Sequence, residues 1–153
     1  MIQECIKEAE KNKMNGVAVV TRKGSFMAKR DIFVKNGFES VDKTKPDFEL
    51  LVLRFNEIAK NPSFRKLSPE DYSEGLTLFR SAQCPYSVKN VDAIMKTAEK
   101  LKVKAKLIDM KDVKDVQNAP CAFGTFCIVN KGEIISSHPI SNTRFENIMK
   151  SIK

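Results

Sequence analysis

Four cysteines are spread over 153 residues, and no two of them form a Cys-x-x-Cys pair. The wide spacing of Cys5, Cys84, Cys121 and Cys127 argues against a structural zinc site and against the disulfide framework of a small secreted domain. Histidine occurs once, as His138, so no multi-histidine metal centre can be built. No apolar run is long enough to cross a membrane. The N-terminus, Met1-Ile2-Gln3-Glu4-Cys5-Ile6-Lys7-Glu8, is charged and helical in pattern and unlike a secretory signal. Together these absences lead us to expect a cytoplasmic, reducing setting and no membrane partner.

Charge is abundant and unbalanced. Lys and Arg number 27 against 19 Asp and Glu, a net charge of +8. The lysines are interleaved with acids, as in Lys96, Glu99, Lys100, Lys102, Lys104 and Lys106, which reads as a solvated surface. The functional alternative is attraction to an anion such as a nucleotide or coenzyme. No aromatic-basic stripe or nucleic-acid module is visible, so nucleic acid is not an expected partner.

Periodicity divides the first third of the chain into short elements. Ile2, Cys5, Ile6 and Ala9 recur at helical spacing over residues 1–13. The helix starts without a capping residue, as though entered partway. Asn15-Gly16 is a turn, and Val17 to Val20 is a wholly apolar strand of the kind that suits a buried parallel position. Gly24-Ser25 interrupts the chain. Met27, Ile32, Phe33 and Asn36 then carry a helix up to Gly37, which sits where a C-cap needs a left-handed residue. Glu39 to Val41 and Phe48 to Phe55 are strands about a polar turn at Lys43 to Asp47.

From residue 58 to 74 the periodicity fails. Asn61-Pro62 and Ser68-Pro69 mark a linker with room for one helical turn. Leu76 to Arg80 then reads as a strand. A helix follows Cys84-Pro85-Tyr86-Ser87, with Val91, Ile94, Met95, Ala98 and Leu101 as its apolar stripe. Lys104 to Met110 alternates as a strand, and Val113 to Gln117 is a short helix. Thr125 to Val129 and Glu133 to Ser136 form a hairpin about Asn130-Lys131-Gly132. Asn142 to Ile152 closes the chain as a helix with Phe145, Ile148 and Met149 inward. Cys127 and Cys5 read as core residues, and His138 as a loop residue. The fold class is α/β, an α+β mixed sheet in two small units.

Phe33-Val34-Lys35-Asn36-Gly37-Phe38-Glu39, followed by Phe48 to Leu53, resembles the closing segment of the GNAT superfamily of N-acetyltransferases. There the last long helix ends in an aromatic-x-x-x-Gly-Phe motif. Residues 1–57 as a whole resemble the C-terminal part of that domain, with Val17 to Val20 as the strand beside the coenzyme pantetheine and Ser25 to Asn36 as the last helix. The resemblance implies acetyl transfer from acetyl-CoA to an amine, on a small molecule or a peptide. It places Ser25, Lys29 and Phe33 on the coenzyme side. Many members carry a tyrosine, used as general acid, where this chain has Phe33, and phenylalanine cannot donate a proton. The family's pyrophosphate loop, Gln/Arg-x-x-Gly-x-Gly/Ala, is not among these residues, so weak coenzyme binding is expected.

Gln83-Cys84-Pro85-Tyr86, Asn118-Ala119-Pro120, Phe123-Gly124 and Ile140-Ser141-x-x-Arg144-Phe145 resemble the YoaP-like domain that follows certain GNAT domains. It is assigned to residues 75–153 with a thioredoxin-type fold. Cys84-Pro85-Tyr86-Ser87 also resembles a single-cysteine glutaredoxin site, in which a thiolate at a helix N-terminus attacks a disulfide. That resemblance implies Cys84 as the catalytic group and Pro120 as a cis-proline against it. Three readings stay open: an acetyltransferase with an accessory domain, thiol-disulfide exchange at Cys84, and a non-catalytic module that binds a substrate or partner. If Val17 to Val20 lacks a neighbour, its edge should either pair in a homodimer or be covered by the linker or the second unit.

Overall fold

The structure is a computed structural model and describes residues 1–24, 26–83 and 85–152, with Tyr86 described in its backbone only. The chain divides into two compact units, Met1–Arg65 and Lys66–Lys153. Both combine helices with sheet, so the fold is mixed α and β.

The first unit begins with α1 (Ile2–Lys11), whose start at Met1 has no side-chain cap. Next come β1 (Gly16–Arg22), α2 (Arg30–Val34), β2 (Glu39–Thr44) and β3 (Phe48–Arg54). The three strands form an antiparallel sheet in the order β1-β3-β2. β1 is therefore a half-buried edge strand, not the buried parallel strand that its apolar run suggests. It pairs with β3 in unbroken register from Gly16 opposite Arg54 to Arg22 opposite Phe48. Ile6, Phe38 and Leu51 are buried at the centre of this unit, with Ile2, Val17, Val19, Phe33, Leu53 and Phe55 packed around them.

Two expectations fail here for local reasons. The helix leading to Gly37 is one turn and a half long, not the span from residue 25 to 36. Phe26 takes a left-handed φ of 71° and Lys29 is extended at ψ 144°, so helical backbone starts only at Arg30. Cys5 is exposed, because it lies at the rim of the α1 stripe, about 60° around the helix from Ile2, while Ile6 takes the buried position. The end of α2 follows the sequence closely. Gly37 has φ 87°, and the N–H groups of Gly37 and Phe38 donate to the carbonyls of Val34 and Phe33, closing a Schellman cap.

The second unit opens with a 3₁₀ turn at Pro69–Tyr72. It continues with β4 (Leu76–Ser81), α3 (Pro85–Lys100), β5 (Ala105–Met110), α4 (Val113–Gln117), β6 (Phe126–Asn130), β7 (Glu133–Ser136) and α5 (Asn142–Ser151). The sheet order is β5-β4-β6-β7, with β4 parallel to β5 and antiparallel to β6, and β6 antiparallel to β7. One core layer joins Leu76, Leu78, Val91, Ile94, Ala98, Phe126, Ile128, Phe145 and Met149 between the sheet and α3 and α5. A smaller layer holds Phe79, Met110, Ala119, Cys121, Cys127 and Val129. Tyr72 of the 3₁₀ turn stands edge-on to Phe79, ring centroids 4.8 Å apart.

Candidate functional site

In a sheet with parallel strands, ligands collect where strands end and the following loops diverge. The carboxyl ends of β4 and β5 form such a place. A cleft of about 760 Å³ opens there, lined by Ser81, Gln83, Asp109, Met110, Asp112 and Val116 among others. Its floor is Met110, which belongs to the smaller core layer. Val113 stands at its rim, 70% exposed. Cys84 follows the lining residue Gln83 in sequence and precedes α3; Cys84 itself lies outside the described residues.

The walls are fixed by short-range bonding. The Asp112 carboxylate accepts from the Asp115 N–H at 2.9 Å, and the Asp115 carboxylate accepts from the Lys111 N–H at 2.8 Å, so α4 is tied at its first turn. Behind it, Gly124 has φ 76°, and a Cβ there would lie 3.1 Å from Cγ1 of Val116, so the turn over 121–124 and α4 meet closely. Arg80, near the end of β4, donates from Nε to Asp109 on β5 and from Nη1 to Asp92 on α3. The Asp109 hydrogen bond, followed by the Asp92 pair, holds the guanidinium pKa above its ordinary value despite partial burial.

Two of the cysteines sit behind this cleft. Cys121 and Cys127 are both buried, and both are free thiols. The Cys121 thiol donates to the Phe126 carbonyl at 3.4 Å. The Cys127 thiol is pushed well above the ordinary thiol range by its hydrogen bond with Cys121 and by burial. Cys127 is therefore a core thiol, not a nucleophile. Pro120 is buried, but the Ala119–Pro120 bond is trans; the one cis peptide among the described residues is Lys45–Pro46. The turn Cys121–Gly124 separates Pro120 from β6, so Pro120 does not take the place just before the strand that the glutaredoxin comparison assigns it. His138 is half-buried, and its carbonyl accepts from the Ser136 hydroxyl at 2.8 Å.

In the first unit, the residues assigned to the coenzyme side are arranged around α2. Ser25 lies outside the described residues. Lys29 is exposed at the start of α2. Phe33 is half-buried, packing edge-on against Phe38 with centroids 5.6 Å apart. Sequence reasoning missed a buried charge nearby. Arg22 ends β1 with its side chain 7% exposed, ion-paired to Asp47 at 2.9 Å and lying 4.9 Å over the Phe48 ring. A Cβ on Gly24 would fall 2.9 Å from Nε of Arg22, so the loop after β1 closes over the guanidinium. An arginine ending an apolar strand, with an aspartate just before the next apolar strand, was the available signal.

Comparison with known proteins bears on both units. A model of the YoaP-like family matches residues 105–147, less than a third of the chain. A curated Bacillus subtilis (strain 168) protein, named Uncharacterized N-acetyltransferase YoaP, is 24% identical over 156 residues, which take in 99% of this chain and 62% of the relative. The chain thus spans about three fifths of the length of that relative. No solved structure matches.

Proposed function

We propose that residues 1–57 form the closing part of a GNAT-type acetyl-CoA-dependent N-acetyltransferase domain, and that residues 75–153 form a YoaP-like accessory domain of thioredoxin type. The observation that carries this reading is the similarity to a named N-acetyltransferase along 99% of the chain. The β1-β3-β2 order, with the helix-Gly-Phe cap leading into β2, supports the first assignment. The β5-β4-β6-β7 order, with its strand directions and the helices between, supports the second.

Bound acetyl-CoA would supply a thioester open to direct attack by an amine, helped by positioning and by polarisation of its carbonyl. This chain offers an exposed cation, Lys29, for the coenzyme's phosphates, and half-buried Phe33 one turn further along α2. Phe33 packs under Phe38 and carries no proton, so its part is to shape the wall and not to act as an acid. The described residues of the first unit offer the coenzyme few charged contacts, so the affinity of residues 1–57 for it should be weak. A calorimetric titration tests this: Lys29→Ala should weaken acetyl-CoA binding several-fold while leaving the melting temperature unchanged. An unchanged affinity would remove α2 from the coenzyme side.

Thiol-disulfide exchange at Cys84 is the second reading, favoured by the position of Cys84 in sequence between a lining residue of the 760 Å³ cleft and the start of α3. On that reading the cleft receives the disulfide substrate, and Ser87 in place of a resolving cysteine stops the exchange at a mixed disulfide.

A further inference from the structure

A buried hydroxyl normally has a hydrogen-bond partner, and one left without marks a place where a ligand can supply it. Ser81 is such a residue. It ends β4, is 5% exposed, and lines the cleft at the carboxyl ends of β4 and β5. Its N–H donates to the Thr125 carbonyl at 2.9 Å, but among the described residues its hydroxyl has no partner. Ser81 stands beside Met110 across the parallel pair, so both side chains point to the face of the sheet on which Val116 of α4 packs. That is the side on which the cleft lies.

The rest of the lining is apolar below and acidic around. Met110 and Val116 form the floor, and exposed Val113 continues the apolar surface to the rim. The charged residues of the lining are Asp109, Lys111 and Asp112, one negative charge in excess on a chain whose net charge is +8. Asp109 is paired with Arg80. Asp112 accepts the Asp115 N–H, a neutral donor, and makes no ion pair among the described residues. Its charge therefore acts on whatever enters.

We propose that this cleft binds a protonated amine carried on an apolar chain. The ammonium donates to the Ser81 hydroxyl oxygen in the field of Asp112, and the chain lies over Met110, Val113 and Val116. Each part of the lining excludes a rival. An anionic ligand would meet two carboxylates for one lysine, and a neutral one would gain nothing from Asp112. The volume of about 760 Å³ suits a small molecule or a single long side chain. The proposal rests on the accessory-domain reading for the use of the amine, which is to accept the acetyl group. The binding is measured without acetyl-CoA, so it can fail while the acetyltransferase assignment stands, and the reverse.

The test is amide chemical-shift mapping on the full chain at pH 7, titrated with n-hexylamine, with n-hexanol and with hexanoate. The expected result is saturable shifts at Ser81, Gln83 and residues 110–116 with hexylamine, binding of hexanol about tenfold weaker, and no shifts there with hexanoate. Ser81→Ala, a nearly isosteric change, should weaken hexylamine about tenfold. Asp112→Asn keeps a residue able to cap α4, and should weaken hexylamine about threefold while leaving hexanol unchanged. Absence of saturable shifts at these residues overturns the proposal, as does hexanol or hexanoate binding there as tightly as hexylamine. The three titrations of the unaltered chain decide the matter even if either variant proves unstable.

Discussion

Arg80 and Asp109 face each other across the parallel pair β4 and β5, and Nε of Arg80 donates to the Asp109 carboxylate at 2.5 Å. The guanidinium is 15% exposed and continues to Asp92 on α3 at 3.2 Å, so one side chain ties two strands and a helix at the mouth of the cleft. Asp109→Asn keeps the shape and removes one charge. Asp109 is half in solvent and Asp92 stays in place, so the loss should be modest, about 1–2 kcal/mol by urea denaturation. A neutral outcome would show that the network orients α3 without stabilising it.

Acid should act on the first unit through Glu49. Its carboxyl is held below the usual range by a hydrogen bond from Ser40, then by Arg30 and Lys43, against an opposing effect of burial. A folded pKa below the unfolded value gives stability that is present above about pH 4.3 and is lost as pH falls through the folded pKa. Glu49→Gln should therefore be less stable than the parent at pH 7, by about 0.5–1 kcal/mol, and the difference should shrink below pH 4. Melting curves across a pH series check this. A gap that widens on acidification would reverse the sign.

Two glycines separate backbone strain from crowding. Gly37 and Gly124 both have positive φ, 87° and 76°. A Cβ on Gly37 meets Leu53 at an ordinary 3.4 Å, whereas one on Gly124 meets Val116 at 3.1 Å. Gly37→Ala should cost about 1 kcal/mol from conformation alone, and Gly124→Ala more. Val116→Ala added to Gly124→Ala should recover part of that excess. Failure of this rescue in a double-mutant cycle would place the strain elsewhere.

Thiol labelling with limiting iodoacetamide should rank the cysteines by access and thiolate character. Cys127, buried and with its thiol pKa raised, should be the slowest, and Cys121 should be slow through burial. Cys5 is exposed and open to the reagent. On the redox reading, Cys84 is labelled fastest and below the free-thiol pKa of about 8.5. Labelling of Cys84 no faster than that of Cys127, followed by mass spectrometry, would leave the second unit a binding module.

The second unit was legible almost throughout, because its signals are local. The stripe Val91, Ile94, Met95, Ala98 and Leu101 fixes α3, and Asn130-Lys131-Gly132 fixes the hairpin. The first unit was harder to read. Val17 to Val20 has the composition of a buried strand, yet the position of a strand in its sheet is set by pairing with distant Leu50 to Leu53, which no short window contains. The helix before Gly37 was read too long because Met27 falls on the helical period, while the left-handed Phe26 leaves no trace in that pattern. The ion pairs Arg22–Asp47 and Arg80–Asp109 bridge residues far apart in sequence, so neither the buried arginine of the first unit nor the bracing of the cleft in the second was visible before the strands were aligned.

Amide chemical-shift mapping during titration with acetyl-CoA tests the central claim most directly, because it reports where the coenzyme lies as well as how tightly it binds. The account predicts saturable shifts at Val17 to Val20 and Lys29 to Phe33, with a dissociation constant of about 1 mM, or roughly 4 kcal/mol of binding free energy, and none centred on residues 75–153. Shifts confined to the second unit, or none at all, would contradict the acetyltransferase assignment.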